Sequence, residues 1–380
     1  MNILINCSGR LAGGGLQVAD SVCTSLYKFS KHRFVVVLSH YMSRTKKRLQ
    51  EQVSANIKLV DYDLQKSFKV IVTGRNAFLD SLVERENIDC VLSIFGPILW
   101  VPKCVHVCGF ARGHIVLPDS PYYTRFGVYK LFVEKMRNAA LKYFFKRSTK
   151  NYFTENPYIT ARLSNLFKGA KVATITNYYN QVFDERSKQV FHEIPPFDGL
   201  KLLTISNYYP HKNLDIAIGI SKYLKHKYPT FHFRFYFTID KTEYPRIDAE
   251  IEDCFCFIGT VDISECPSLY EQCDIEFQPT LLECFTAAYP EAMRMRKPII
   301  TTDIEFARGL CGNAALYYNP LSCENAAETI FKLAHDKPLQ RSLVDNGVRQ
   351  LRNYDTYEER IKKMISYCEK VVSSQKKAYP

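Results

Sequence analysis

The sequence predicts an α/β chain of two domains, each built on a parallel sheet with helical crossovers. Three observations carry this reading. At 380 residues the chain is long for a single core. Its first forty residues read strand, glycine-rich turn, amphipathic helix, strand. Residues 279–303, PTLLECFTAAYPEAMRMRKPIITTD, repeat that grammar as strand end, loop, short helix and strand.

In chain order, residues 2–7 are an apolar strand, 9–15 a glycine-rich turn, 16 to about 29 a helix, and 33–38 (RFVVVL) a second strand. Parallel strands joined this way hold ligands at their carboxyl ends. The GRLAGGG run is not G-x-G-x-x-G, and no P-loop Lys-Ser/Thr follows it, so by itself it reads as a tight turn. Residues 87–95 and 104–108 (CVHVC) are strands; His106 lies within the second and His114 on the loop after it.

Residues 122–150 are the most basic and aromatic stretch. Phe132, Met136, Ala139, Ala140 and Tyr143 share one helical face, surrounded by Lys130, Lys135, Arg137, Lys142, Lys146 and Arg147. Two readings fit, an interfacial helix on an anionic membrane surface and a packed core helix with a solvated basic face. Strand 151–155, helix 158–167 and strand 172–175 complete a first domain over 1–183. Residues 184–199, polar with paired prolines, read as the linker.

The second domain, 200–355, opens with strand 201–206, a loop holding Asn207 and Lys212, and a helix from Leu214. Strands follow at 232–238 and 254–261, the latter ending in Gly259, Thr260 and Val261. Strand 274–277 leads into the 279–303 stretch, with helices at about 322–335 and 338–350 and a closing helix from Tyr357 within a 356–380 tail.

Composition excludes several classes. No run of about 18 apolar residues is present, which argues against a membrane-spanning helix. The N-terminus MNILINCSGR reads as a strand, not a signal peptide. Thirteen scattered cysteines without CxxC pairs read as reduced core thiols, and a cytoplasmic protein is expected. The net charge of +12 divides into +15 over residues 1–190 and −3 over 191–380. An anionic partner is therefore expected for the first half: a membrane surface or a phosphate-bearing acceptor rather than nucleic acid, since no helix-turn-helix, RRM motif or zinc finger is present.

The chemistry concentrates at 279–303. Pro290 fits only the first turn of the intervening helix, so that helix starts between Thr286 and Pro290. Its free N–H groups then face Cys284, Phe285 and Thr286 and attract an anion. Glu283 and Glu291 bracket that end; were the interval fully helical they would stand ~12 Å apart, the reach needed to hold hydroxyls on both sides of a diphosphate.

This stretch resembles the E-x7-E signature of the retaining glycosyltransferases of family 4 (group 1), which have the GT-B fold. The matching positions are Glu283, Phe285, Glu291, Ala292, Met293, Pro298, Ile299, Ile300 and Asp303; Cys284 and Thr286 stand where the family has glycines. The resemblance extends over nearly the whole chain and is specific for about 200–320. It implies two Rossmann-like domains facing across a cleft, with the last helix crossing back to the first domain. It also implies transfer of a sugar, of the hexosyltransferase type, from a nucleotide-diphosphate sugar to a hydroxyl of a glycan or lipid-linked glycan in surface polysaccharide synthesis.

By the same resemblance Lys212 binds the diphosphate, with Asn207 in place of the family's arginine. Glu291 holds the ribose, Glu283 the donor sugar, and His114 lies near the reacting centre. Gly14 and Gly15 let the first-domain helix approach the donor phosphates, and Gly259, Thr260 and Val261 border the base. No metal or other cofactor is expected for this transfer. Peripheral attachment to the inner face of the cytoplasmic membrane would run through 122–150. Two other readings stay open: a GT-B sugar-nucleotide epimerase, and a non-catalytic subunit of the same fold.

Overall fold

The computed structural model describes residues 1–9, 13–52 and 54–378. Arg10, Leu11 and Ala12 of the glycine-rich turn lie outside the described residues. The chain divides into two compact units, one of residues 1–118, 126–177 and 355–380, the other of 119–125 and 178–354.

The first unit runs β1 (Asn2–Cys7), α1 (Gly14–Cys23), β2 (Arg33–Leu38), α2 (Ser43–Glu51), β3 (Ile57–Asp61), α3 (Phe68–Thr73), α4 (Ala77–Arg85), β4 (Cys90–Ser93), β5 (Val105–Gly109), α5 (Gly113–Val116), α6 (Val128–Ser148), β6 (Asn151–Thr154), α7 (Pro157–Leu166) and β7 (Lys171–Thr174). Its seven strands are parallel, in the order β3-β2-β1-β4-β5-β6-β7. Continuous burial along FVVVL in β2 reflects a sheet covered on both faces, which is why apolar runs rather than alternation mark these strands.

The second unit runs β8 (Leu200–Thr204), α8 (Ile216–Lys227), β9 (Phe233–Phe237), β10 (Phe255–Phe257), α9 (Cys266–Gln272), β11 (Ile275–Gln278), α10 (Ala288–Arg294), β12 (Ile299–Thr302), α11 (Glu305–Cys311), β13 (Ala315–Tyr318), α12 (Cys323–His335) and α13 (Lys337–Gln350). Six parallel strands lie in the order β10-β9-β8-β11-β12-β13. Phe235, Phe237, Ile275 and Phe277 pack with Ala217, Ile220 and Ile330 on one face of this sheet.

The closing helix α14 (Tyr357–Ala378) belongs to the first unit. Ile361, Met364, Ile365, Cys368, Val371 and Val372 pack among Ile3, Ile5, Cys90 and Val105. Arg360, also buried, donates to Asn177 Oδ1 and, at 2.9 Å, to Ser21 Oγ.

Three expectations are corrected here. The helix expected over 16–29 is α1 followed by a separate 3-10 turn at Leu26–Lys28. The first unit also ends at Asn177 rather than at 183, because Phe183 packs edge-on to Tyr270 at 6.0 Å. The stretch 184–199 is no free linker. Val190 N–H donates to Ser264 O at 2.9 Å, His192 Nδ1 meets Glu265 Oε1 at 2.9 Å, and Ile194 N–H donates to Gln272 Oε1 at 3.1 Å, so it runs along the second unit.

The packed-core reading of the 122–150 face is also overturned. Phe132, Met136 and Tyr143 are 61, 58 and 59% exposed, while Phe145 and Ser148 turn inward. The apolar spacing found a genuine face of α6, but one that faces water.

Candidate active site

Two neighbouring strands position the candidate site. β8 and β11 pair in parallel, with Leu202 opposite Ile275, and the chain leaves β8 for β9 on the other side. The loops after β8 and β11 therefore part company at the carboxyl ends of the strands, where an open α/β sheet meets its ligands.

After β8 the chain passes the exposed Asn207 and forms a 3-10 turn, Pro210–Lys212. Asn213 ends that turn with φ 56°, a left-handed conformation that asparagine tolerates better than most side chains. After β11, residues 279–287 form the loop that enters α10. Leu281 N–H donates to His211 O at 2.8 Å, and Thr280 Oγ1 lies 3.3 Å from the same oxygen and 3.5 Å from Glu283 Oε1. Lys212 Nζ and Glu283 Oε1 form an ion pair whose side chains are only 15 and 13% exposed.

A segment from the first half of the sequence completes this arrangement. Ser120 Oγ donates to Leu281 O at 2.7 Å, Arg125 donates to Asn213 Oδ1, and the Tyr122 ring stands edge-on to His211 at 6.2 Å. Sequence reasoning missed all three, since nothing in their local pattern points 90 to 160 residues ahead. Burial pushes the His211 imidazole below its ordinary value, against the pull of Glu283.

Helix α10 starts at Ala288, with Pro290 in its first turn, as that residue requires. Only seven residues long, it leaves 283–287 non-helical, so the fully helical spacing of Glu283 and Glu291 does not apply. Its dipole is also small beside the full charge of Lys212. Cys284 and Thr286 are buried, and the Phe285 ring meets Tyr354 edge-on at 6.1 Å.

Below the loop lies a polar layer that the sequence did not signal. Glu276 and Gln278 alternate with the core-facing Ile275 and Phe277 along β11, yet both are fully buried. Gln278 Nε2 lies 3.3 Å from Glu276 Oε1, and the Tyr270 hydroxyl 3.4 Å from Glu291 Oε2. Burial pushes the Glu291 carboxyl up to about 7, with the Tyr270 hydroxyl pulling it back. The Glu276 carboxyl is also raised well above its ordinary value, first by burial and then by the charge of Glu291. Glu276 Oε2, Gln278 Oε1 and Thr286 Oγ1 have no hydrogen-bond partner among the described residues. Such orphaned buried atoms are uncommon in folded proteins, and each calls for a partner.

The structure thus gathers Lys212, Glu283, Cys284, Phe285, Thr286 and Glu291 into one place. Gly259, with φ 85°, Thr260 and Val261 follow the edge strand β10, separated from β8 by β9. His114, Gly14 and Gly15 belong to the first unit. His114 is half-buried on α5, and its carbonyl accepts from Asn138 Nδ2 at 2.9 Å. His106 is a structural residue: Ser93 Oγ and Ser148 O hold its ring at 3.0 and 2.9 Å, and burial depresses it to about 4. Gly14 and Gly15 open α1, where a Cβ on Gly14 would meet nothing within 4 Å and one on Gly15 the Phe95 ring at 3.6 Å. The residue that needs to be glycine is Gly13, whose φ is 53°. No group of three or more His, Cys, Asp or Glu side chains that could hold a metal ion occurs among the described residues.

The two parallel sheets with their helices are those of the GT-B fold. The chain is similar over 98% of its length to 98% of a glycosyltransferase from Rickettsia africae, at 16% identity and a TM-score of 0.67. A sucrose-phosphate synthase from Thermosynechococcus elongatus is similar over 98% of this chain and 99% of its own, at 13% identity and a TM-score of 0.67. HepE from Anabaena, solved in complex with UDP-glucose, is similar over 99% of both chains, at 14% identity and a TM-score of 0.65. Comparison with curated proteins returns no match. Residues 186–350, which carry the whole Lys212–Glu283–Glu291 constellation, match the family model of glycosyl transferases group 1. The protein is a glycosyltransferase enzyme.

Proposed function

We propose that the enzyme transfers a sugar from a nucleotide-diphosphate sugar to a hydroxyl of a glycan or lipid-linked glycan, with retention of anomeric configuration, as in family 4 and in surface polysaccharide synthesis. The observation that carries this is the Lys212–Glu283 ion pair at the parted strand ends, beside the buried Glu291. A leaving diphosphate gathers negative charge, and a fixed ammonium in a site with little water stabilises that charge without having to reorganise. Lys212 turns from Glu283 to the phosphates as the donor enters. Glu283 is thereby released to accept from a donor-sugar hydroxyl, and Glu291 accepts from the ribose. His114 lies on the acceptor side. Asn207 contributes no charge where the family has arginine, so Lys212 carries more of the phosphate binding here.

A thermal-shift screen of nucleotide sugars against the full chain, followed by NMR of the product's anomeric proton, tests the reading. A donor that raises the melting temperature and a product of unchanged configuration support it. Release of nucleotide that needs no acceptor points to the epimerase, and no shift with any donor to a non-catalytic subunit.

A further inference from the structure

Helix α6 carries an arrangement that the transfer reaction does not use. At about 100° per residue, Val128, Tyr129, Phe132, Val133, Met136 and Tyr143 fall within one arc of roughly 140°. All six are exposed, Val128 and Tyr129 at 87 and 82%. Lys130 and Arg137 border one edge of the arc, and Lys135, Lys142 and Lys146 the other. Single exposed apolar residues are ordinary, but a continuous apolar stripe between two basic margins is not.

The surface continues onto α3. The Arg147 guanidinium donates to Ile71 O at 2.6 Å, Val72 O at 3.2 Å and Leu99 O at 2.8 Å, tying the end of α6 to that helix. There Phe68 and Val72 are 82 and 56% exposed, beside the exposed Lys66, Lys69 and Arg75. Residues 66–75 and 128–148 together hold nine Lys/Arg and a single acid, Glu134, which is 16% exposed and paired with Arg137 at 3.1 Å.

We infer that α6 and α3 form a docking face for an anionic phospholipid surface, with Tyr129 and Phe132 entering the headgroup region and the flanking lysines reaching the lipid phosphates. Interfacial helices have this construction, an apolar stripe buried at the acyl boundary and long basic side chains extended along it. A second copy of the chain fits poorly, since a two-fold contact would set nine like charges against nine. A nucleic acid would leave the apolar stripe against phosphates. The inference is independent of the donor chemistry.

Pelleting of the full chain with vesicles tests it. Binding to phosphatidylcholine vesicles containing about one-third phosphatidylglycerol is expected to exceed binding to phosphatidylcholine alone by at least about tenfold, and to weaken as salt is raised. Tyr129→Ser with Phe132→Ser is expected to weaken it by about tenfold or more, from the lost apolar burial. Lys130→Glu, Lys135→Glu and Lys142→Glu together are expected to weaken it by more than about a hundredfold, at roughly fivefold per charge removed, while the three arginine replacements retain it. Both sets lie on the surface, and unchanged melting by circular dichroism shows that each folds. Absence of pelleting with anionic vesicles, or pelleting that neither set reduces, overturns the inference. So does a dimer in sedimentation velocity that the Tyr129→Ser, Phe132→Ser protein no longer forms.

Discussion

Lys212 and Glu283 neutralise one another, so a donor diphosphate bound as proposed would compete with a carboxylate for the same ammonium. Lys212→Ala removes a charge-assisted contact of ~1.5–3 kcal/mol and is expected to lower kcat/KM by roughly 10–100-fold in steady-state assays. Glu283→Gln separates two effects: by freeing Lys212 it should tighten binding of a nucleoside diphosphate in calorimetry, while lowering kcat with the full donor. Looser diphosphate binding in that variant would remove the competition from the scheme. Glu291 adds a pH dependence. With its carboxyl held up to about 7 by burial, the accepting carboxylate form grows as pH rises through that value. Donor affinity should therefore strengthen about tenfold between roughly pH 6 and 8 and then level off, as isothermal titration can show. Glu283 and Glu291 were legible because charge, spacing and flanking strands coincide in one short stretch, and Lys212 because a lysine stands there between a strand and a helix. Glu276 and Gln278 were not, since a carboxyl inside an apolar strand has no local pattern to mark it as buried.

At the scale of elements, strands were read closely and connections were not. β1 and β2 fall where alternating strand and turn residues put them, because a sheet covered on both faces demands unbroken apolar runs. The segment 119–125 looked like part of the first domain, yet Ser120 fastens the loop after β11 through Leu281. A neutral hydrogen bond of this kind is worth ~0.5–1.5 kcal/mol. Ser120→Ala should therefore raise donor KM by roughly 2–10-fold, with kcat and melting temperature nearly unchanged. Helix α14 offers a contrast, since its role is packing. Ile361→Ala leaves a cavity in the first unit's core and should cost ~2–5 kcal/mol in denaturant unfolding, with donor binding unaffected.

For the whole molecule, buried carboxyls set the response to pH. Burial pushes Glu155 and Glu291 up to about 7 from an ordinary value of 4.5, and the Arg360 charge only partly counters this for Glu155. Between those two values the folded chain keeps protons that an unfolded chain has released. The contribution to stability is full below 4.5, declines as pH climbs to about 7, and is flat above. His106, depressed to about 4 from 6.5, pulls the other way below 6.5, but it is one group against two, so the melting temperature should be lower near pH 8 than near pH 5; the same comparison in Glu155→Gln and Glu291→Gln should lose that fall if the carboxyls cause it.

The interleaving of the two units also governs how the chain comes into being. Residues 119–125 leave the ribosome well before the second unit they belong to, and α14 leaves after that unit is finished. During synthesis the core around Ile3, Ile5, Cys90 and Val105 therefore lacks the share of its packing that residues 361–372 supply until they emerge. Domains usually fold as contiguous pieces in order of translation. This chain cannot, and its nascent form spends the time needed to make the entire second unit with that core incompletely packed, a natural client for a chaperone.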